Sequence, residues 1–421
     1  MSNSMSNNLS FASTLNVDNS QLSIIDYYVI GISNNPHFIL SDEVKKILKE
    51  NHFFSGGKRH YELVQNKLPI IHHWIEINKN ITTLFNEYKK ATKPIIVFAS
   101  GDPLFYGFAN TIKKYHPNAN IKVYPTFNSL QLLCHKNTIS YQNIVNTSIH
   151  GRSWQELDIA LIKQSSLIGI LTDTTKNPNT IAQRMLDYNF DHYKMIVGEA
   201  LDAEQEKITS LSLIEAAKKT FDPLNCILLI KEEEKQKKMG ISDVEFIGLE
   251  NRPNMITKMP IRLISLSQLD LYNRKTLWDI GFCTGSVSIE AKTQFPHLNI
   301  IAFEKREECS IIFDINTKKH STPGITKIIH DFFKVDLKTI PTPDSVFIGG
   351  HGNKLEALIS LIDKYLISGG KIVINAVKKE SKETFIKTIK KFNYHLLDPI
   401  EINLDSHNPI TILTAEKKKN E

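Results

Sequence analysis

The segment Leu277-Trp-Asp-Ile-Gly-Phe-Cys-Thr-Gly-Ser286 constrains this chain more than any other. An apolar strand runs into a turn bracketed by Gly281 and Gly285, and the turn opens a helix over Ser286–Gln294. That order is the first unit of a Rossmann-like sheet, in which bare backbone lets a nucleoside approach. The next strand ends at Glu304, 23 residues after Gly281, near the ~20 expected for an acid that accepts from ribose hydroxyls. Asp331 follows the third strand, where an acid can accept from an adenine amino group. Gly349 opens a Gly-Gly-His-Gly loop after the fourth. Asp279, Gly281, Thr284, Gly285, Ser286, Glu304, Asp331 and Gly349 are the candidate cofactor-binding residues. A pyrophosphate-binding turn would place a glycine three residues after Gly285, where Ser288 stands. S-adenosyl-L-methionine carries no phosphate, so the pattern favours it over a nicotinamide dinucleotide. Cys283 stands in place of the usual middle glycine. Cysteine tolerates positive φ poorly, so a tighter or displaced turn is expected.

A second, unrelated turn lies in the other half. Ile95–Ala99 reads as a buried strand followed by Ser100-Gly-Asp-Pro103, with Gly107 beyond. Gly and Pro force a sharp turn there. The Gly101 backbone can approach a ligand, and Asp102 can accept hydrogen bonds from it. Gly56-Gly-Lys-Arg-His60 is a glycine loop with three basic residues. Lys58, Arg59 and His60 suit carboxylates, with Arg59 able to make a bidentate contact. Thr172, in Leu171-Thr-Asp173, ends a later strand and could complete a cleft.

At 421 residues the chain exceeds one ordinary core, and two domains are expected. We read residues 1–22 as a disordered Ser/Asn-rich tail, 23–232 as the first domain, 233–250 as a linker and 251–421 as the second domain. The linker follows the charged run Lys231–Lys238 and holds Gly240 and Gly248, with Pro253 just beyond. Strands and helices alternate in both halves, which implies an α/β fold with mostly parallel sheets. No apolar run approaches the ~18–20 residues that span a bilayer. The first basic residue is Lys45, so no secretory n-region is present and a cytoplasmic protein without a membrane partner is expected. The four cysteines lack paired spacing, which reads as reduced thiols, and no His/Cys cluster suggests a metal. The net charge of +6 comes from dispersed lysines. That argues against a nucleic-acid partner and suits a polyanionic small substrate.

With these residues placed, residues 24–230 resemble the tetrapyrrole (corrin/porphyrin) methylases, on Gly56-Gly-Lys-Arg-His60 and Ala99-Ser-Gly-Asp-Pro-Leu-Phe-Tyr-Gly107. Residues 251–416 resemble the Rossmann-like methyltransferase commonly fused to them. The matching segments there are Leu277-Trp-Asp-Ile-Gly281, Thr284-Gly-Ser-Val-Ser-Ile-Glu290, Val346-Phe-Ile-Gly-Gly350 and Asn375-Ala-Val377. Two stretches depart from the family: Gly31-Ile-Ser-Asn-Asn35 stands for a glycine-rich loop, and Pro125-Thr-Phe-Asn-Ser129 for a Pro-Gly before paired serines.

The resemblance implies an enzyme of cobalamin biosynthesis. It would methylate a corrinoid, precorrin-6B or cobalt-precorrin-6B, at C5 in the first domain and at C15 in the second. It would also decarboxylate the C12 acetate. The first-domain cofactor set becomes Gly101, Asp102, Pro103, Leu104, Ser129 and Thr172. Asn375 joins Lys58, Arg59 and His60 on the substrate. For decarboxylation, Lys258 and Arg262 are the candidate carboxylate holders and His351 the proton carrier. A homo-oligomer is expected. Two alternatives remain at this point. In one, only the second domain is active and the first is a docking module. In the other, the chain is an RNA or small-molecule methyltransferase.

Overall fold

The computed structural model describes residues 26–419 except 79, 93, 253–254 and 405–408. The expected tail over 1–22 and Pro253 beside the linker lie outside the described residues. By compactness the chain divides into two units. One holds the residues up to Ser129 with Asp202–Glu204, and the other holds Leu130–Leu201 with Gln205–Glu421.

The first unit is built on β1 (Tyr27–Ile32), β2 (Phe53–Gly56), β3 (His73–Glu76), β4 (Ile95–Ser100) and β5 (Ile121–Tyr124). They form one parallel sheet in the order β3-β2-β4-β1-β5. Both faces are covered, so β4 reads as a continuous apolar run. Ile95 and Val97 pack on one face, and Ile96 and Phe98 on the other. The helices are α1 (Asp42–Glu50), α2 (Lys58–Val64), α3 (Ile81–Lys90) and α4 (Phe108–Tyr115). Ser41 caps α1 by accepting from Val44 N, as Ser does at helix starts.

The second unit begins with α5, which spans Ser129–Lys136 across the division. It then holds β6 (Val145–Ser148), α6 (Gln155–Ile162), β7 (Leu167–Leu171), α7 (Pro178–Asp187), β8 (Tyr193–Glu199), β9 (Lys207–Ser212), α8 (Leu213–Ala216) and β10 (Asn225–Lys231). Their sheet runs β6-β7-β10-β8-β9 and is antiparallel at every pairing but β6–β7. The expectation of a mostly parallel sheet fails here. Strand β10 returns between β7 and β8, and its residues Cys226–Ile230 are apolar enough to be buried there. An apolar run alone carries no sign of strand direction.

The Rossmann-like part follows, with α9 (Met259–Leu269), β11 (Thr276–Ile280), α10 (Ser286–Gln294), β12 (Asn299–Glu304), α11 (Glu308–Lys319) and β13 (Ile325–Ile329). Then come β14 (Ser345–Ile348), α12 (Leu355–Asp363), β15 (Lys371–Ala376), α13 (Lys379–Lys391), β16 (Tyr394–Leu396), β17 (Ile400–Ile402) and β18 (Ile410–Lys417). The order β13-β12-β11-β14-β15 is parallel, and β18 closes it antiparallel with β16 and β17 on its outer edge. Alternation along β11 sends Leu277 to the α9/α10 side and Trp278 to the α12/α13 side.

Residues 130–231 are tied to this part of the unit. Asn189 Nδ2 donates to Lys318 O at 3.1 Å. Buried Asp158, paired with Arg184 at 2.8 Å, sits against Gly324 beside Lys292. The compact division therefore falls inside the span 23–232.

Two expectations are corrected by one cluster. Arg262 is fully buried and unable to reach a substrate carboxylate. Its guanidinium donates to Glu290 Oε2 (3.3 Å), Asp243 Oδ1 (3.2 Å), Thr257 O (2.8 Å) and Ile241 O, and it lies over the Phe246 ring. Glu290, equally buried, also accepts from Gly240 N (3.0 Å) and Ile241 N (2.8 Å). The segment from Gly240 to Leu249 is therefore packed on α9 and α10 instead of linking freely, with Ile241, Phe246 and Leu249 buried. Removing one partner of a buried ion pair leaves an uncompensated charge. Arg262→Ala is expected to cost about 3–5 kcal/mol in a denaturant titration, and Glu290→Gln less, since its amide still accepts from the backbone.

Candidate functional site

The turn after β11 sits where the strand order reverses, between β11 and β14, and ligands of open α/β sheets bind at that crevice. Gly281 has φ +80°, and a Cβ there would lie 2.8 Å from Gly350 N. Gly285 has φ +78°, and its Cβ would strike the Phe313 ring at 2.6 Å. Both positions require glycine. Cys283 between them corrects the expected displaced turn, because it adopts φ +51° itself. Its N–H donates to Glu304 Oε2 (3.2 Å) and its thiol to Met255 O (3.0 Å). Those two bonds offset the steric cost of a left-handed cysteine, which is of order 1–3 kcal/mol.

Around this turn lies a cavity of about 680 Å³. Asp279, Gly281, Thr284, Ser286, Glu304, Asp331, Gly349, His351, Lys258 and Asn375 all line it, so the structure brings most of the second-domain candidates together. Gly285 sits behind the wall as the N-cap of α10. Four buried side-chain atoms on the wall have no partner: Asp279 Oδ1, Thr284 Oγ1, His351 Nδ1 and Asn375 Nδ2. Orphaned buried polar atoms are rare and need a cause, and four on residues that line one volume point to a binding cavity. A nucleoside cofactor with a cationic end fits this set. The glycine backbone offers close approach, Asp279 a carboxyl and Thr284 a hydroxyl.

Each acid is held differently. Asp279 is completely buried. Burial pushes its carboxyl up to about 7, with the Ser288 hydroxyl (2.6 Å to Oδ2) and backbone pulling down and Glu304 pushing up. Burial also opposes ionisation of Glu304. It is outweighed by the Arg306 guanidinium and the N–H groups of Arg306 and Lys305, so this carboxyl stays below its usual range. Asp331 Oδ1 accepts from Phe333 N at 3.1 Å. His351 is held below its usual pKa by burial and then by Lys378, and its Nε2 lies 3.3 Å from Ser381 Oγ. Asn375 Oδ1 accepts from Ser265 Oγ at 2.9 Å, which turns the orphaned amide nitrogen into a free donor. Sequence reasoning missed Arg306, two residues after the acid it grips. A basic residue so close to Glu304 was the available signal.

In the first unit, Gly101 has φ +63° and donates to Ile32 O at 3.0 Å. A Cβ on Gly31 would meet Gly101 O at 2.0 Å, so β1 and the turn touch backbone to backbone. Asp102 Oδ1 is spent within the turn, accepting from Leu104 N at 2.8 Å. Pro103 is buried and Leu104 exposed. Sequence reasoning left out Ser100, whose Oγ accepts from Arg59 Nη2 at 2.8 Å and faces His60 Nε2 at 2.9 Å. His60 Nδ1 accepts from Gly57 N at 3.2 Å. A backbone N–H can only donate, so the ring proton sits on Nε2 and points at Ser100. Burial, then Arg59, lowers His60 to about 4. The Ser100 hydroxyl, accepting twice, keeps its own proton to give. Lys58 is exposed at the start of α2. Ser129 opens α5. Thr172 belongs to the second unit, where its hydroxyl donates to the Asn225 carbonyls (2.8 and 2.7 Å). Among the described residues no helix is long and apolar enough to cross a membrane.

Fold and cavity together define a methyltransferase of the Rossmann-like class. Residues 251–417 match a family model described as the precorrin methyltransferase domain. A precorrin-6Y C(5,15)-methyltransferase [decarboxylating] of Sinorhizobium sp is 27% identical over 408 residues, covering 95% of this chain and 96% of that protein. A probable cobalt-precorrin-6B C(15)-methyltransferase (decarboxylating) of Sulfurisphaera tokodaii is 31% identical over 191 residues, 42% of this chain and 97% of that one. A solved precorrin-6y C5,15-methyltransferase from Geobacter metallireducens shares 34% identity over 43% of this chain and 98% of its own, with a TM-score of 0.40. The chain belongs to the precorrin-6Y C5,15-methyltransferase (decarboxylating) family.

Asp279 gives a pH signature. Its carboxyl titrates near 3.8 when unfolded and near 7 when folded. The native state therefore holds a proton that the unfolded state loses. Its contribution to stability is fully present below about 4 and is lost as pH rises through about 7. Urea titrations of the ligand-free protein at pH 4.5 to 8 should show this decline, and Asp279→Asn should flatten it.

Proposed function

We propose that this chain methylates precorrin-6B or its cobalt form at C5 and C15 and removes carbon dioxide from the C12 acetate. The observation that carries the reading is the second-unit cavity, lined by Asp279, Thr284, His351 and Asn375, each of which has a buried side-chain atom without a partner. Relatives that match the chain across its length, or across its second part, carry these activities in their names.

S-adenosylmethionine, when bound, supplies a methyl group activated by a sulfonium. The residues that would hold it are Asp279, the backbone of Gly281–Gly285, Thr284, Ser286, Glu304, Asp331 and Gly349. The macrocycle carbon is the nucleophile, so the protein needs no nucleophilic side chain. Its task is to align two bound partners, which supplies up to about 7–11 kcal/mol when geometry is good, and to keep water out while charge is lost. Lys258 and the Asn375 amide hold substrate carboxylates.

In decarboxylation the acetate C–C bond breaks, its electron pair enters the conjugated macrocycle and carbon dioxide leaves. The exocyclic carbon then takes a proton. His351, on the cavity wall and held below its usual pKa by burial, passes that proton. Residues 23–232 form the C5-methylating part, with Gly101, Asp102, Pro103, Leu104 and Ser129 on its cofactor and Lys58 and Arg59 on carboxylates, while His60, whose one N–H goes to Ser100, holds that hydroxyl in place. The functional second part runs from 251, with the packed segment 240–249 counted to it.

Mass spectrometry of products from precorrin-6B and cobalt-precorrin-6B tests the whole reading. Two added methylenes less one carbon dioxide is the expected change. A single methylene with the same loss would make the first part a docking module, and no change would refute the assignment. His351→Ala should slow decarboxylation at least about a hundredfold, at the lower edge of general acid–base contributions, with cofactor affinity retained. Lys258→Ala should raise KM for the corrinoid several-fold with little change in kcat.

A further inference from the structure

Glu304 is saturated. Its Oε1 accepts from Lys305 N (2.8 Å), Arg306 N (3.2 Å) and Arg306 Nε (3.0 Å). Its Oε2 accepts from Cys283 N (3.2 Å) and Arg306 Nη2 (2.6 Å). A carboxylate offers about four lone-pair sites, and five donors fill them. A ribose hydroxyl needs a free site, and without the Arg306 side chain the three backbone donors leave about one of the four. Three of the donors are backbone groups fixed by the turn and by the end of β12, so only the Arg306 side chain can leave. It lines the cavity, is 22% exposed, and its Nη1 already reaches Met255 Sδ at 2.7 Å on the wall. Arg262, in contrast, has a buried guanidinium with four acceptors and no volume to move into.

We propose that Arg306 competes with ribose for the edge of Glu304, is displaced when the cofactor binds, and then turns to the cavity mouth to meet the anionic substrate. The mouth is lined by Arg252, Lys258, Lys305 and Lys354, with Lys354 Nζ 5.3 Å from the Phe333 ring centroid. A guanidinium released there joins a basic rim suited to a polycarboxylate. Cofactor arrival thereby primes the substrate side, so the two ligands bind with positive coupling. Arg306 thus competes with the cofactor for Glu304 and, once released, serves the substrate side.

This rests on the S-adenosylmethionine reading above, and the experiment separates the two. Calorimetry of the full chain with S-adenosylhomocysteine is run on the wild type, Arg306→Ala and Arg306→Met, with and without uroporphyrin III as an octacarboxylate probe. No binding by the wild type refutes the cofactor reading itself. With the wild type binding, the expected result is a Kd at least about threefold lower in both variants, because Glu304 keeps its three backbone donors and no side chain must leave. Unchanged or weaker binding in the variants overturns the proposal. A merely structural arginine would not yield tighter binding when removed. In the wild type, uroporphyrin III should tighten S-adenosylhomocysteine binding, and in the variants that coupling should vanish. Coupling that persists in them overturns the priming. If the alanine variant fails to fold, the methionine variant, which keeps the packing against Met255, decides.

Discussion

The carboxyl ends of β11 and β14 come together without side chains, and the binding cavity depends on that approach. With no Cβ on Gly281, its backbone lies directly against Gly350. The turn can then fold back so that Gly281 N reaches Phe303 O at 2.7 Å on β12. One glycine thus joins three strand ends at the point where the sheet changes direction. Asp279, Glu304 and His351 reach one volume because their strands end there together. Trp278 and its neighbours on the opposite face fix the strands, so the polar ends can remain unsatisfied without collapse.

Two arginine–carboxylate pairs in this part of the molecule show how burial separates scaffold from working group. Arg262 and Glu290 are both inaccessible and bind four elements of backbone and side chain, which makes their geometry rigid. Arg306 and Glu304 are fewer than three residues apart and border open volume, so the carboxylate is fixed by backbone and the guanidinium is not. In the first unit His60 shows a third arrangement. Burial keeps it neutral and its backbone contact fixes the tautomer, so it is a permanent donor to Ser100 instead of a base.

The glycine turns, the strands leading into them and Glu304 were readable in the sequence, because a buried strand followed by glycine leaves a local pattern. Asp331 was reached from the same strand pattern, whereas Lys258, His351 and Asn375 entered only with the family resemblance; all four line the cavity. Arg262 was misread because a lone arginine on a helix looks solvent-facing. Its partner Glu290 lies 28 residues away, and nothing local shows that the two are buried together. The charged run before Gly240 concealed a packed segment behind it. Cys283 broke a rule about backbone preference that two tertiary hydrogen bonds overrode. Strand direction in the sheet from β6 to β10 was invisible, since the apolar run Cys226–Ile230 of β10 would suit either sense.

The hold of Glu290 on Gly240 and Ile241 bears on how such a protein could be joined or divided over evolutionary time. The seam between its catalytic parts is only the few residues from Glu232 to Met239, because the chain is already committed to the Rossmann-like part at Gly240. A gene cut at residue 251 would strand a carboxylate and a guanidinium in an apolar interior and bare the pocket that Phe246 fills. A cut before Gly240 would leave Arg262 and Glu290 with all their partners. The fusion point is thus set by ion-pair bookkeeping as much as by the end of the last strand.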